Sequence, residues 1–391
     1  MESKSIFRKR DKCLVCGRIL PDEALIKLEN MPASAQNIPD QSQLNDESAV
    51  ELELFQCKGC GLVQFNCEPV DYYKDVIRSG GFSTTMVELR RRQYKHLIEK
   101  YDLSGKKFIE VGCGQGEFLS VLKEFPVDGY GIEHKADLVE IAKEKGLQVK
   151  RDFLDSGEHK LEDGPFDVFL SFNFFEHQPD PNGMLQGIYE NLSDDGMGLI
   201  TVPSFEYIME NDGYYELIRD HLVYYTFDTL RFVLEKNGFQ VLEEEMVNRD
   251  TLSMIVRKKP IIDISKIKDS YSYIPKEINN FVDECIHKGK KVAIWGASHQ
   301  GFTLASTVRL GGKVSYIIDS APFKQGRYAP ASHIPIISPA EAENRPVDAI
   351  IIMAPGYTKE IAGNIRNRFS ENTEIWVMMT NHLQQYKELE I

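Results

Sequence analysis

Four cysteines near the amino terminus form two matching motifs. Cys13 and Cys16 are separated by two residues and followed by a glycine. Cys57 and Cys60 repeat this pattern, with 40 residues between the two pairs. Each C-x-x-C-G unit folds as a tight turn that directs two thiolates at one ion, so the pairs predict a tetrahedral zinc site. Since four cysteines fill every coordination position, the metal would be structural rather than catalytic.

A second pattern places a glycine at every second position of a loop. The apolar run Lys107–Val111 precedes Gly112, Gly114 and Gly116, and apolar residues at helical spacing follow. This order predicts a strand, a loop that a ligand can approach closely, and a helix whose amino terminus favours electron-rich groups. Together with Glu110 inside the strand, the G-x-G-x-G spacing resembles motif I of class I S-adenosylmethionine (SAM) methyltransferases. NAD binding, the alternative, prefers a longer glycine spacing.

Two further acids follow apolar runs at the spacing of a nucleotide site. Glu133 ends the run 129–133, 23 residues after Glu110, where a carboxylate can accept hydrogen bonds from ribose hydroxyls. Asp152 ends the next run, which resembles the third strand of the same fold, near the adenine. We therefore assign cofactor binding to Glu110, Gly112, Gly114, Gly116, Glu133, Asp152 and Asn173.

Alternating strands and helices must position these residues. The apolar stretch 166–172 is typical of a parallel strand buried on both faces, and residues 197–202 predict the next strand. The segments 240–247 and 251–256 predict a closing hairpin. Over residues 84–258 this βαβα alternation resembles the seven-stranded sheet of class I methyltransferases.

The carboxyl-terminal third predicts a second α/β unit after a connecting helix. Lys291–Trp295 reads as a strand, a glycine turn at 296–301 follows, and the next strand ends in an acid. Because Ser298 stands where a dinucleotide-binding turn has its middle glycine, a true dinucleotide site stays open. A later loop carries Lys324 and Arg327, either as ordinary surface charges or as a clamp for a pyrophosphate.

Composition limits the partners. The 391 residues are 42% hydrophobic and 27% charged, and the net charge of −14 argues against nucleic acid as a partner. No apolar run reaches membrane-spanning length and no secretory signal is evident, which predicts no membrane partner. Seven cysteines, an odd number, favour a reducing cytoplasm. The oligomeric state stays open.

The combination of zinc motifs, SAM motif and a K-Q-G-R-Y…H-I-P stretch resembles the three-domain sugar C-methyltransferases that act on nucleotide-activated keto-deoxysugars. The resemblance implies an α/β chain. Residues 1–83 would form a zinc-knuckle module with a connecting segment. Residues 84–258 would form the class I SAM methyltransferase domain, and 259–391 a linker helix with a Rossmann-like domain.

In that family a histidine removes a proton next to a ketone, and the resulting enolate attacks the SAM methyl. The resemblance assigns this base to His221, with Asp220 orienting it and Asn173 and His177 beside the substrate; Tyr72 would complete the catalytic set. The residues implied in substrate binding are Lys324, Arg327, Tyr328, His333, His299 and Tyr224.

Three places depart from the family. Asp220 replaces its usual glutamate, Ile218 replaces a tyrosine, and the segment 72–83 differs from the family's tyrosine-rich aromatic pair, so that Tyr72 or Tyr73 would serve instead. An enolate needs a donor for its oxygen. Methylation of oxygen or nitrogen on a related sugar or glycan is therefore the nearest rival. A non-catalytic binding protein with a SAM fold, and an oxidoreductase using the last domain, are rivals from other classes.

Overall fold

The computed structural model describes residues 9–45, 47–75 and 83–387, which form two compact units, 1–260 and 261–391. The strands of the first unit are β1 (Ile26–Met31), β2 (Val50–Gln56), β3 (Val63–Phe65), β4 (Lys107–Val111), β5 (Asp128–Glu133), β6 (Gln148–Arg151), β7 (Phe166–Phe172), β8 (Leu192–Pro203), β9 (Val223–Tyr224), β10 (Phe239–Val247) and β11 (Thr251–Lys258). Its helices are α1 (Thr84–Lys100), α2 (Glu117–Leu122), α3 (Ala136–Glu144), α4 (Pro181–Glu190), α5 (Phe205–Glu210) and α6 (Phe227–Lys236).

The central sheet has the order β10-β11-β8-β7-β4-β5-β6. All neighbours are parallel except around β11, which runs antiparallel to both β10 and β8. The order reverses at β4, so the loops after β4 and β7 open on a crevice at the carboxyl ends of the strands, where ligands of such sheets bind. This is the class I methyltransferase sheet, in Rossmann-like form.

The cysteine-bearing segment shares its core with the central sheet. Cys13, Cys57 and Leu62 are buried in one cluster with Ile109 of β4 and Leu230 of α6. A separate cluster on α1, α2 and α3 covers other residues of the same sheet. The amino-terminal segment therefore belongs to the same compact unit as the methyltransferase sheet.

A small antiparallel sheet connects this segment to the large sheet, because Tyr225, directly after β9, forms a bridge with Ser204, directly after β8. Its order is β1-β2-β3-β9, and β3 pairs with β9 through Val63 and Tyr224. Because β9 begins two residues after His221, the pairing fixes the backbone beside a predicted catalytic residue.

The second unit is a parallel Rossmann-like sheet with one antiparallel edge strand, in the order β14-β13-β12-β15-β16-β17. Its strands are β12 (Val292–Trp295), β13 (Ile317–Ile318), β14 (Ile336–Ile337), β15 (Ala349–Ile352), β16 (Glu374–Met378) and β17 (Leu383–Gln385). Its helices are α7 (Ser265–His287), α8 (His299–Thr307), α9 (Pro339–Glu343) and α10 (Thr358–Arg368). No helix in the described part of the chain is both long and apolar enough to cross a membrane.

Candidate active site

The glycine loop between β4 and α2 adopts a backbone that other residues avoid. Gly112, Gly114 and Gly116 all have positive φ, at 69°, 57° and 78°. A Cβ on Gly116 would lie 2.2 Å from Leu147 Cδ1, and one on Gly112 would lie 2.9 Å from the Phe174 ring. The glycines are thus required by both backbone conformation and close packing.

Glu133 and Asp152 lie beside this loop, as the sequence predicts. The Gly114 N–H donates to Glu133 Oε2 at 3.0 Å, and the Lys135 N–H donates to Glu133 Oε1 at 2.9 Å. Asp152 accepts from the Phe153 N–H at 2.7 Å and lies 2.9 Å from His159 Nε2. Glu110 is buried within β4. The predicted cofactor residues on β4, β5 and β6 therefore meet at one edge of the sheet.

The pocket at this edge is nearly closed. Its volume is only about 10 Å³, and its lining includes Gly112, Glu133, Phe174 and Lys74. Lys74 Nζ lies 4.4 Å from the centre of the Phe153 ring, and Asp75 Oδ1 lies 2.6 Å from His134 Nδ1. The connecting segment thus covers the pocket beside the glycine loop. Residues 76–82, which follow it, lie outside the described residues.

A larger cavity, of about 770 Å³, opens beside this pocket. Asn173, His177, Asp220 and His221 all line it, together with parts of α1, α5 and the loop 35–38. Asn173 and Phe174 are neighbours in the chain, yet Asn173 lines the large cavity and Phe174 the small pocket. The small pocket and the large cavity therefore lie next to the same peptide unit, between Asn173 and Phe174.

His177 is held in one tautomer by the backbone. It ends a 3₁₀ turn after β7, and its Nδ1 donates to the Asp220 carbonyl oxygen at 2.7 Å. The other nitrogen, Nε2, consequently carries the lone pair when the ring is neutral. Burial lowers the pKa of His177 to about 4, so the ring is uncharged near neutral pH.

His221 stands against His177, with the ring centres 4.8 Å apart and the planes at 76°. Burial first, and then the nearby His177, lower the pKa of His221 well below the usual value. An uncharged His221 that lines the cavity can accept a proton from a bound molecule.

Asp220 is held by the amino-terminal segment. The Tyr72 hydroxyl donates to Asp220 Oδ1 at 2.5 Å, and the Ala35 N–H donates to Asp220 Oδ2 at 2.9 Å. Arg219 Nη1 donates to the Ala33 carbonyl oxygen at 2.6 Å. Burial, and then the hydrogen bond to Asp220, raise the pKa of Tyr72, which keeps its hydroxyl protonated as a donor. The loop between the two cysteine pairs is thus part of the site.

Asn173 presents an oriented amide. Its backbone lies in the left-handed region, at φ 48°, directly after β7. The Arg90 guanidinium donates to Thr201 Oγ1 at 3.3 Å, and that hydroxyl donates to Asn173 Oδ1 at 3.0 Å. Because the amide oxygen is occupied in this way, the amide NH₂ is the group left to serve as a donor in the cavity.

Several residues of the site carry no sequence signal. Ala35 acts through its backbone N–H, which any residue could supply. Thr201 and Arg90 act by orienting Asn173; a threonine inside the apolar strand β8 is the one hint that the sequence offers for them.

Tyr224, predicted from the sequence to bind substrate, is buried, and its hydroxyl hydrogen bonds with the Ile218 backbone rather than lining the cavity.

The four predicted metal ligands come together. Sγ of Cys13 lies 3.5 Å from Sγ of Cys60, and Sγ of Cys16 lies 3.4 Å from Sγ of Cys57; all four sulfurs are within 4.8 Å of one another. A zinc–sulfur bond of about 2.3 Å places tetrahedral sulfurs about 3.8 Å apart, so the cluster fits a zinc ion.

In the second unit, Arg327, Tyr328 and His333 lie on a hairpin, Lys324 lies just before it and His299 lies on α8. Gly326 N–H donates to the Ile336 carbonyl and Ile336 N–H to the Arg327 carbonyl, at 2.9 and 2.8 Å, and the exposed Arg327, Tyr328 and His333 lie along it. Lys324 Nζ lies 3.0 Å from Asp319 Oδ2. His299 is exposed at the first position of α8.

Comparison with known proteins defines the class. Residues 86–244 match the methyltransferase domain family, and residues 265–379 match the C-methyltransferase C-terminal domain. The chain is a SAM-dependent methyltransferase with the domain composition of a C-methyltransferase.

Two curated relatives illustrate the match. The C-methyltransferase NovU of Streptomyces niveus is 23% identical, over 94% of this chain and 95% of that protein. The ubiquinone biosynthesis O-methyltransferase of Methylococcus capsulatus is 34% identical, but over only 20% of this chain and 35% of its own. Among solved structures, the PH0226 protein of Pyrococcus horikoshii has a TM-score of 0.39 and 16% identity, over 48% of this chain and 99% of its own. That score is too low to inform the fold or the site.

Proposed function

We propose that this enzyme methylates a carbon next to a ketone in a nucleotide-linked sugar, with His221 as the base. The observation that carries the proposal is the cavity in which two uncharged histidines, the buried Asp220 and an oriented asparagine amide meet. The C-methyltransferase C-terminal domain and the similarity to NovU, named a C-methyltransferase, support carbon as the acceptor.

The residues divide the work of forming an enolate. His221 accepts the proton next to the ketone, and the Asn173 amide donates to the oxygen that becomes negative. Asp220, held by Tyr72 and Ala35, fixes the backbone carbonyl that orients His177. SAM supplies the electrophilic methyl group when bound.

The donor would occupy the pocket at the glycine loop. The residues that would hold SAM are Gly112, Gly114 and Gly116 toward its methionine part, Glu133 toward the ribose hydroxyls, and Glu110 and Asp152 toward the nucleoside. Asn173 lines the cavity and its neighbour Phe174 lines this pocket, so a methyl donor in the pocket would lie close to an acceptor in the cavity. The small volume of the pocket means that Phe174 and Lys74 must shift to admit the cofactor.

The four cysteines would hold a structural zinc ion. The ion would stabilise the two turns that flank the loop 33–38, and that loop holds Arg219 and Asp220. Its part in methyl transfer would be to position these residues.

The nucleotide diphosphate would bind at the hairpin of the second unit. Lys324 and Arg327 supply positive charge to a chain of net charge −14, and Tyr328, His333 and His299 offer an aromatic surface and hydrogen bonds. We expect the enzyme to act in the cytoplasm.

Mass spectrometry on a panel of nucleotide-linked 4-ketosugars, incubated with enzyme and SAM, tests the proposal. We expect one member to gain one methyl group, and His221→Ala to lose this activity by about 10²–10⁴-fold while still binding SAM in calorimetry. His96→Ala is the matched control, because His96 is exposed on α1 beside Glu243. Full activity of His221→Ala would exclude His221 as the base.

Methylation of oxygen or nitrogen is the second candidate. The cavity carries Ile218 where the resembled family has a tyrosine, which removes one donor for an enolate oxygen. His221 could deprotonate a hydroxyl or an amine in the same position, and the same panel with hydroxyl- or amino-sugars would detect it.

A further inference from the structure

A carboxylate and two imidazoles lie together in the wall of the large cavity, away from the four cysteines. Ligand atoms of Glu176, His177 and His221 are all within 4.8 Å of one another, and Glu176 Oε1 lies 3.8 Å from His177 Nε2. All three residues line the cavity, so an ion entering from solvent can reach them.

The chemistry of this cluster suits a transition metal. Metal binding requires a neutral imidazole, and metal-binding histidines commonly donate their other N–H to a carbonyl or carboxylate. His177 has this arrangement, since its Nδ1 donates to the Asp220 carbonyl and its Nε2 points away from that bond. Two nitrogens and one carboxylate oxygen favour zinc, cobalt or nickel over magnesium.

We propose that Glu176, His177 and His221 form a second metal site, which takes a divalent transition ion of the zinc class. Three protein ligands would leave a fourth position open to water or to an oxygen of a cavity ligand. One ring nitrogen of His221 would donate its lone pair to the ion and could no longer accept a proton. If His221 is the base, as proposed above, metal binding at this site would therefore inhibit methyl transfer.

Cobalt titration of the full-length protein, carrying the zinc with which it is purified, tests the site without any methyl acceptor. We expect one equivalent of Co²⁺ to bind with the visible absorption of a nitrogen and oxygen ligand set, and without the thiolate-to-cobalt bands that exchange at the cysteines would give. Added Zn²⁺ should abolish the signal, and Mg²⁺ should leave it unchanged.

Variants separate this site from unspecific binding. Glu176→Gln and His221→Gln should each weaken Co²⁺ binding at least tenfold, whereas His96→Gln, which alters an exposed histidine–glutamate pair, should not. Unchanged SAM affinity and zinc content would show that the variants fold. The proposal is overturned if no Co²⁺ binds to the zinc-carrying protein, or if both variants bind Co²⁺ as tightly as the parent protein. Since methyl transfer is not measured, failure here leaves the proposed reaction unaffected.

Discussion

His177 is buried and His221 is half-buried, and their rings are in edge-to-face contact in the wall of the cavity. His177 is held by the Asp220 carbonyl and stays uncharged, and its presence helps to keep His221 uncharged. A charge on the buried His177 ring would be poorly hydrated. The pair therefore links protonation to both stability and activity.

The stability of the protein should fall in acid because His177 stays neutral when folded. Its pKa is about 4 in the folded protein and about 6.5 when unfolded, so its contribution is full above pH 6.5 and is lost as the pH falls toward 4. The loss is about 1.4 kcal/mol per pH unit in this window. Urea unfolding of His177→Gln at pH 7.5 and 5.5 should show a smaller decrease than the parent protein. Equal decreases would mean that His177 does not titrate in this way.

The Asn173 amide and the hydroxyl that orients it should both contribute to the rate, and the amide should contribute more. Asn173→Ala removes the donor for the developing oxyanion and should lower kcat by about 10²–10³-fold. Thr201→Val removes only the hydroxyl that orients the amide, so its kcat should fall less, by about tenfold. Both kcat values are measured at saturating SAM. A larger loss in Thr201→Val than in Asn173→Ala would contradict this assignment.

Among the elements, the small sheet β1-β2-β3-β9 connects the cysteine segment to the proposed catalytic residues. Strand β3 pairs with β9 just after His221, and the loop 33–38 holds Arg219 and Asp220. One cysteine turn precedes β1, and the other lies between β2 and β3. The proposed zinc ion would therefore act on the site through this sheet and loop.

Disrupting the four-cysteine cluster should reduce the rate of methyl transfer more than it reduces the affinity for SAM. Cys16→Ser weakens the turn that leads to the loop 33–38, so we expect at least a tenfold loss of kcat with SAM affinity changed less than threefold. Cys285→Ser is the control, because Cys285 lies outside the cluster and in the second unit. Calorimetry with SAM and initial rates measure the two effects. A loss of SAM binding equal to the loss of rate would contradict the coupling.

The sequence predicted the elements better than the contacts between them. The G-x-G-x-G loop and the alternating apolar runs indicated the sheet, because glycine spacing and strand burial leave a local signature. The same holds for the paired cysteines. The contact of Ala35 with Asp220 could not be predicted, since it uses a backbone N–H 185 residues away along the chain. The orienting path from Arg90 through Thr201 to Asn173 likewise depends on tertiary packing.

The molecule as a whole is acidic, so the proposed anionic substrate would have to bind at a local patch of positive charge. The net charge is −14, and the hairpin of the second unit presents Arg327 with Tyr328 and His333. The donor loop lies in the other unit, so donor and acceptor affinities should respond to separate substitutions.

Arg327→Ala should therefore weaken binding of the nucleotide-linked sugar alone. We expect KM for the sugar to rise about tenfold because a charge-assisted contact with the diphosphate is lost, while the dissociation constant for SAM stays the same. Arg345→Ala, which removes an exposed arginine paired with Glu341, is the control. A similar rise in KM for both variants would indicate a general charge effect.

Nuclear magnetic resonance of the product tests whether the methyl group is transferred to carbon. The enzyme is supplied with SAM labelled with ¹³C in its methyl group and with the nucleotide-linked ketosugar that gains mass. We predict a labelled methyl resonance in the aliphatic region, coupled to a sugar ring carbon. A labelled resonance at the position of a methoxy or N-methyl group would contradict the account.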